Sequence, residues 1–327
     1  MPAFNVEAYI AECLDSILQQ SYSDWELLIT DDQSTDKTLD ILQTYANRDE
    51  RIKPMPSLGP KGIIPALRQA YRRSSGDYIT RMDADDKMAP DKLRSLLQEV
   101  SKPDVDIATG LVDYFSTGKD MGSGYLKYSQ WLNQLSKTNT HWHDIYKECV
   151  LPSPCWMISR SKLEAVGAFQ PNTYPEDYDL CFRFYEANYR VSGVDEVLHF
   201  WRDHGDRASR NDPNYADVAF FPLKVNYFLK LDRDPNRPLI LWGAGKKGKT
   251  VAKFLQKAGS TFRWVSNNPN KVGHDIYGVI LEDLNMDTWN NAQVISVVSQ
   301  PGAAQDIRQW AKQKNLKLNR DVVFFVG

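Results

Sequence analysis

The chain has 327 residues, 42% of them apolar and 25% charged, with a formal net charge of −2. That length favours two domains over one, and the composition excludes wholesale disorder. A nearly balanced charge speaks against broad attraction to nucleic acid, so no nucleic-acid partner is expected. No apolar run is long enough to cross a bilayer, and no basic–apolar–small order marks a secretion signal. Cysteines at 13, 149, 155 and 181 form no Cys-x-x-Cys pair and read as free thiols of a reducing cytosol. Attachment at the inner face of a membrane stays open.

Ile10, Leu14, Ile17 and Leu18 share one face and predict a helix over residues 6–20. Residues 25–30 read as a strand, ended by the polar run 31–36. A helix over 37–46, a Gly/Pro-rich stretch over 54–62 and a helix over 64–74 follow. Residues 77–82 predict a strand that runs into Asp83-Ala84-Asp85-Asp86. Pro90 suits the first turn of a helix carrying Leu93, Leu96, Leu97 and Val100, and 104–112 reads as another strand. The alternation predicts a parallel α/β sheet with helices on both faces. Ligands of such sheets lie outside the carboxyl ends of strands. The clusters 31–32 and 83–86 both follow strands, so they are expected on one edge, facing one crevice.

No motif is readable from about 113 to 155. His141-Trp142-His143, read as a strand, puts its rings on opposite sides, and no ligand set accompanies it. Trp131, Trp142 and Trp156 suit an acceptor groove or core packing equally. An apolar helix is predicted over 215–231 and a linker over 232–238. The alternation then restarts, with strands at 239–242, 261–265, 293–298 and 322–326 and a helix over 249–257. Gly243-x-Gly245-x-x-Gly248 follows a strand and opens a helix, the context of a dinucleotide fingerprint. That fingerprint also wants an acid about twenty residues on, and Val265-Ser266-Asn267-Asn268-Pro269 has none. Gly243, Gly245 and Gly248, with Lys246 and Lys247, could still meet an anion at the helix N-terminus. A structural or assembly role, including a homo-oligomer, is the favoured reading there.

Asp83 and Asp85 bring two carboxylates together in one loop, the ligand type a hard cation such as Mg²⁺ or Mn²⁺ takes beside a diphosphate. The plain alternative is a turn and helix cap. Glu176-Asp177-Tyr178-Asp179-Leu180 is a third acidic cluster. It suits a helix start, where acids meet the positive dipole end, or a general base that takes a proton from a hydroxyl.

Met1-Pro2-Ala3-Phe4-Asn5, the turn Leu28-Ile29-Thr30-Asp31-Asp32-Gln33-Ser34-Thr35-Asp36, the run from Tyr78 to Asp86, and the run from Gly167 through Glu176-Asp177 stand in order. Trp201-Arg202-Asp203-His204 and Ser209 follow. Together, over roughly residues 1–210, they resemble the family 2 glycosyltransferases, inverting enzymes of the GT-A fold. The resemblance implies a Rossmann-like, nucleotide-sugar-binding GT-A domain over 1–214, a helix and linker over 215–236 and a small Rossmann-like α/β domain over 237–327. It implies that Pro2, Phe4, Asp31 and Asp32 hold the nucleobase and ribose, with Arg81 and the loop 59–62 nearby. Asp83 and Asp85 would flank the ribose and a diphosphate bound to Mn²⁺ or Mg²⁺, Arg202 and His204 would face the diphosphate, and Asp177 would be the base. For His204 a surface or packed histidine is the equal alternative.

The donor implied is a nucleotide-sugar, with UDP favoured, and the acceptor a hydroxyl on a glycan or lipid-linked glycan, as in cell-surface polysaccharide synthesis. Three departures matter. Gln33 stands where the family's early turn has glycine. The Gln-x-x-Arg-Trp segment and membrane helices of processive members are absent, which favours adding one sugar. The apolar strand that opens the family's domain is missing before Met1, so the natural protein is expected to start upstream. Two rival functions remain: an NAD(P)-dependent oxidoreductase centred on 243–248, and a catalytically silent nucleotide-sugar-binding module.

Overall fold

The structure, a computed structural model, describes residues 1–327 apart from 117–122, 206, 208–211, 216–218, 285–288 and 290. The chain divides into two compact units, Met1–His141 with Val150–Arg207, and Trp142–Cys149 with Ala208–Gly327.

In the first unit β1 (Pro2–Ala3), β2 (Leu27–Asp31) and β3 (Ile52–Pro56) make a parallel sheet in the order β1-β2-β3. Helices α1 (Ile10–Leu18), α2 (Thr38–Ala46) and α3 (Ile63–Arg73) connect and cover them. The helical spacing of Ile10, Cys13, Leu14 and Ile17 buries one stripe of α1 against Ile29, Ile52, Met82 and Ala84. Strand β3 falls inside the stretch expected to be an irregular Gly/Pro loop. Pro54 and Pro56 are tolerated because β3 is an edge strand, where a missing N–H costs no ladder bond.

The second sheet corrects the expectation of a wholly parallel one. Its strands are β4 (Tyr78–Thr80), β5 (Lys87–Met88), β6 (Ile107–Ser116), β7 (Trp156–Ser159) and β8 (Val191–Asp203), in the order β4-β7-β6-β8-β5. Strand β7 runs antiparallel to both β4 and β6, and β5 runs antiparallel to β8. The short run Trp156-Met157-Ile158-Ser159 is buried at three of four positions, so it carries no alternation to read. Helices α4 (Lys92–Val100), α5 (Ser123–Thr138), α6 (Arg160–Ala165) and α7 (Glu176–Glu186) complete the unit. His141–Asp144 is a 3-10 turn, not a strand, and His141 is buried.

The second unit holds α8 (Phe220–Tyr227), continued by a π-helical turn over Phe228–Asp232, where one long helix was expected. Strands β9 (Leu239–Trp242), β10 (Arg263–Ser266), β11 (Asp275–Ile276), β12 (Val279–Asp283), β13 (Gln293–Ser296) and β14 (Val322–Phe324) form one sheet. Its order is β11-β12-β10-β9-β13-β14, parallel except for β11. Helices α9 (Lys246–Lys257) and α10 (Ala303–Gln313) belong to it. The chain winds outward from β9 in both directions, the doubly wound pattern of α/β sheets. Among the described residues no helix is long and apolar enough to cross a membrane.

Candidate functional site

The first component lies at the carboxyl end of β2. Asp31 closes the strand, and Gln33 follows with φ 64°, so the turn keeps the left-handed shape that glycine would adopt freely. Asn5 Oδ1 accepts the Thr35 N–H at 2.8 Å, and Thr38 Oγ1 accepts that of Val6 at 2.9 Å, tying segments 4–7 and 33–38 together. The Gly62 N–H donates to Asp32 Oδ2 at 2.8 Å, and Ser34 N–H to Asp31 Oδ2 at 3.3 Å. Burial raises the Asp32 pKa, partly offset by Gly62 and Lys61. Three buried acceptors here, Thr30 Oγ1, Asp31 Oδ1 and Asp32 Oδ1, have no partner among the described residues. Buried oxygens of this kind are costly unless a ligand supplies donors. Phe4 is 41% exposed beside them, with Lys61 Nζ 3.4 Å from its ring centre.

The second component is the loop after β4. Buried Arg81 forms two ion pairs, Nε to Asp83 at 3.2 Å and Nη1 to Glu176 at 2.9 Å. Asp85 Oδ2 meets His204 Nε2 at 2.8 Å, and the His204 ring lies 4.5 Å from that of Tyr9. Burial works to raise the Asp85 pKa, but the His204 contact and Arg207's charge outweigh it and the net shift is downward. Asp86 turns inward. It accepts the Arg202 N–H at 2.8 Å and meets His199 Nε2 at 3.0 Å. His199 Nδ1 is in turn 3.2 Å from Lys92 Nζ, which also donates to the Pro154 carbonyl at 2.6 Å. Lys92 as an ammonium only donates, so His199 accepts at Nδ1 and donates from Nε2 to Asp86. Burial lowers the pKa of both Lys92 and His199 and raises that of Asp86, where the charges of Asp85 and Asp83 add to it.

Arg202, expected toward a diphosphate, is instead turned into the fold. Its Nε donates to the Asp85 carbonyl at 2.7 Å and its Nη2 to Glu12 at 2.5 Å, with the guanidinium over Tyr9 and Phe115. It braces the loop from behind. Ser209 lies outside the described residues.

The third component is the start of α7. Pro175 precedes the helix, and Glu176, Asp177 and Asp179 fill its first turn, as the dipole favours. Asp179 pairs with Arg183 at 2.8 Å, a structural i,i+4 bridge. Among the described residues Asp177 has no i,i+4 bridge of this kind. Burial pushes its pKa up to about 7, with Glu176's charge adding and Arg81 pulling back, and the charge of Asp83 also reaches it. The acids after β4 and those opening α7 therefore meet around one guanidinium. Sequence reading found these acids but missed Glu12, Lys92, His199 and Lys61. A lysine in a helix first turn reads as a surface residue, and nothing local marks Lys92 as buried.

In the second unit, Gly243 has φ 118°, and a Cβ on Gly248 would lie 1.9 Å from the Gly243 oxygen. Both glycines are thus required by the chain itself. Trp264 Nε1 donates to the Gly243 carbonyl at 2.9 Å, and Lys271 Nζ to that of Ala244 at 2.9 Å. Gly245 has ordinary dihedrals, and nothing lies within 4 Å of an added Cβ. Among the described residues no group of three or more His, Cys, Asp or Glu is gathered for a metal ion, and all four cysteines are buried thiols outside any disulfide.

The model of the family described as "Glycosyl transferase family 2" matches residues 1–167. An uncharacterized glycosyltransferase of Haemophilus influenzae is 34% identical over 242 residues, covering 69% of this chain and 72% of that protein. Among solved structures, S. aureus TarS 1–349 in complex with UDP-GlcNAc superposes with a TM-score of 0.53 at 20% identity, over 80% of this chain and 72% of that one. Mannosyltransferase PcManGT of Pyrobaculum calidifontis, in complex with GDP-Man and Mn²⁺, gives 0.51 at 19% identity, over 79% and 73%. At those identities the two structures speak to the fold alone. The matched segment contains the β2 turn, Arg81 and the Asp83–Asp86 loop, and the chain belongs to glycosyl transferase family 2: it is a sugar-transferring enzyme with a GT-A first unit.

Proposed function

We propose that the first unit moves one sugar from a nucleotide-sugar, of the UDP class, to a hydroxyl on a glycan or lipid-linked glycan, with inversion at the anomeric carbon. The observation that carries this reading is the Arg81 clamp, which joins Asp83 to Glu176 and so holds Asp177 beside the Asp83–Asp85 loop. Asp177 is the general base. Its raised pKa suits a group that must accept a proton near neutral pH. The acceptor oxygen attacks the anomeric carbon, the bond to the diphosphate oxygen breaks, and the hydroxyl proton passes to Asp177. No second nucleophile is needed.

The partnerless oxygens of Thr30, Asp31 and Asp32 suit the N–H and hydroxyl donors of a nucleobase and ribose, with Phe4 and Pro2 as the apolar wall. TarS bound to UDP-GlcNAc and PcManGT bound to GDP-Man share this fold, which supports a nucleotide-sugar as donor. Asp83 and Asp85 are partly exposed carboxylates and fit a hard cation that takes its remaining ligands from diphosphate and water. Mg²⁺ or Mn²⁺ bound there would offset the charge on the leaving diphosphate. His204 holds Asp85 in place, and Arg202 fixes the loop carbonyl.

Calorimetric titration with UDP and with GDP, each with and without Mn²⁺, tests the reading. We expect UDP binding that strengthens at least tenfold with Mn²⁺ and loses that gain in Asp85→Ala. UDP binding indifferent to both Mn²⁺ and Asp85 would overturn the metal assignment. NAD binding alone would overturn the whole reading.

A further inference from the structure

We propose that Arg68 is a positioning residue for the transfer: it ties the chain that leads into Asp177 to helix α3, and so fixes where the base stands relative to the donor pocket. The inference rests on the reading of Asp177 as the general base.

Helix α3 carries the donor side. Gly62 caps it, and the Gly62 N–H holds Asp32 at 2.8 Å. Further along the same helix, Arg68 reaches the segment between α6 and α7. Its Nε donates to the Phe169 carbonyl, 101 residues later in the chain, at 3.1 Å. Its Nη2 donates to the Gln170 carbonyl at 2.5 Å and to Asn172 Oδ1 at 2.7 Å. The Tyr71 ring of α3 meets Phe169 edge to face, with centroids 5.6 Å apart. From the other side, Arg183 of α7 donates from Nη1 to the carbonyls of Val166 and Ala168, at 2.6 and 2.9 Å. The segment 166–172 is therefore a bridge. One guanidinium grips it from the donor-side helix, and one from the helix that begins at the base.

The backbone of the bridge is bent in a way that these grips explain. Gly167 and Ala168 take left-handed φ values of 83° and 43°, and Ala168 is a buried non-glycine residue. Such a conformation persists where surrounding contacts over-determine it, and such places cluster at functional sites. The bridge runs on into Tyr174, whose hydroxyl would lie 3.4 Å from a Cβ built on Gly62, and then into Pro175 and the first turn of α7. Arg81 fixes that turn at one point, through Glu176. Arg68 fixes the approach to it at a second. In-line displacement needs the base within hydrogen-bond reach of the acceptor hydroxyl while the donor is seated, and a shift of about 1 Å costs roughly a hundredfold in rate.

The test measures kcat, UDP affinity and Tm for Arg68→Gln, Arg68→Lys, Asp177→Asn and the double variant Arg68→Gln/Asp177→Asn. Arg72→Gln, at an exposed position of the same helix, controls for the lost charge. Rates are read well below each Tm. Arg68→Gln is expected to lower kcat about thirtyfold with UDP affinity within about twofold, because the donor pocket keeps its own bonds. Arg68→Lys keeps the charge but not the fork, and should recover part of that rate; it carries the same comparison should Arg68→Gln fail to fold. In the double variant kcat should match that of Asp177→Asn alone, since a base that is gone cannot be misplaced. An unchanged kcat in Arg68→Gln overturns the proposal, as does an equal loss in Arg72→Gln. So do multiplied losses in the double variant, which would put Arg68 on a route that bypasses Asp177. A full rate in Asp177→Asn is a separate failure: it removes the base from the proposed function, whatever Arg68 does.

Discussion

Two segments that follow strands in this chain carry motifs conspicuous in the sequence, and they differ as structure. The turn after β9 carries a glycine fingerprint; the loop after β4 carries four residues, three of them acidic. In the glycine turn, Gly243 and Gly248 are explained by the chain's own backbone, and the carbonyls of 243 and 244 are bonded to Trp264 and Lys271. In the acidic loop, packing alone would not select the residues. Like charges crowd together, Asp86 is buried, and an inward relay through His199 to Lys92 is needed to hold it. A motif that folding explains is weak testimony for function. A motif that folding must accommodate at a cost is strong testimony.

This contrast can be broken by four substitutions. The largest effect is expected at Asp177→Asn, where sugar transfer should fall ~1,000-fold while UDP affinity stays within about twofold, read by nucleotide release and by titration. The unsubstituted enzyme should gain about tenfold in kcat/KM per pH unit below 7 and level off above it, because the base works only when deprotonated. The asparagine variant should lose that limb. A normal rate in Asp177→Asn would remove the base from the site.

Next comes Gly248→Ala. The added Cβ meets backbone 1.9 Å away, so urea unfolding should show a loss of about 3 kcal/mol with UDP binding intact. A smaller effect is expected at Lys92→Met, which keeps the length of the side chain and removes the ammonium. His199 then loses the contact that orients it toward Asp86, and Mn²⁺-dependent UDP affinity should weaken roughly tenfold, in the manner of supporting residues behind a metal site. Unchanged affinity would make Lys92 a purely structural residue. The smallest effect is expected at Gly245→Ala. A weaker helix cap and a less flexible unfolded chain should nearly cancel, leaving stability within about 0.5 kcal/mol. Loss of a nucleotide-binding signal in that variant would show that the glycine turn does bind a ligand.

The elements that periodicity could reach were legible. Helix α1 shows its stripe in Ile10, Leu14 and Ile17, β2 ends at the acid that marks it, and β4 ends at Thr80, shortly before its acids. Strand β3 was hidden by its prolines, and β7 by having no alternation. For the site, acids in loops were visible because Asp near strand ends is chemically conspicuous. Their supports were not, since the supports come from far away: Glu176 reaches Arg81 across 95 residues, and His199 reaches Asp86 across 113. Arg202 was expected at the diphosphate on the family resemblance, which carries no information about its partners in this chain. Its guanidinium instead meets Glu12, 190 residues earlier in the chain.

The buried thiols have a practical consequence. All four cysteines are shielded in the folded protein, so a maleimide dye has no native point of attachment. Leu58, 79% exposed in the stretch leading to Lys61, offers a single labelling position in Leu58→Cys. A fluorophore there would report, without background, any movement of that loop as substrate arrives.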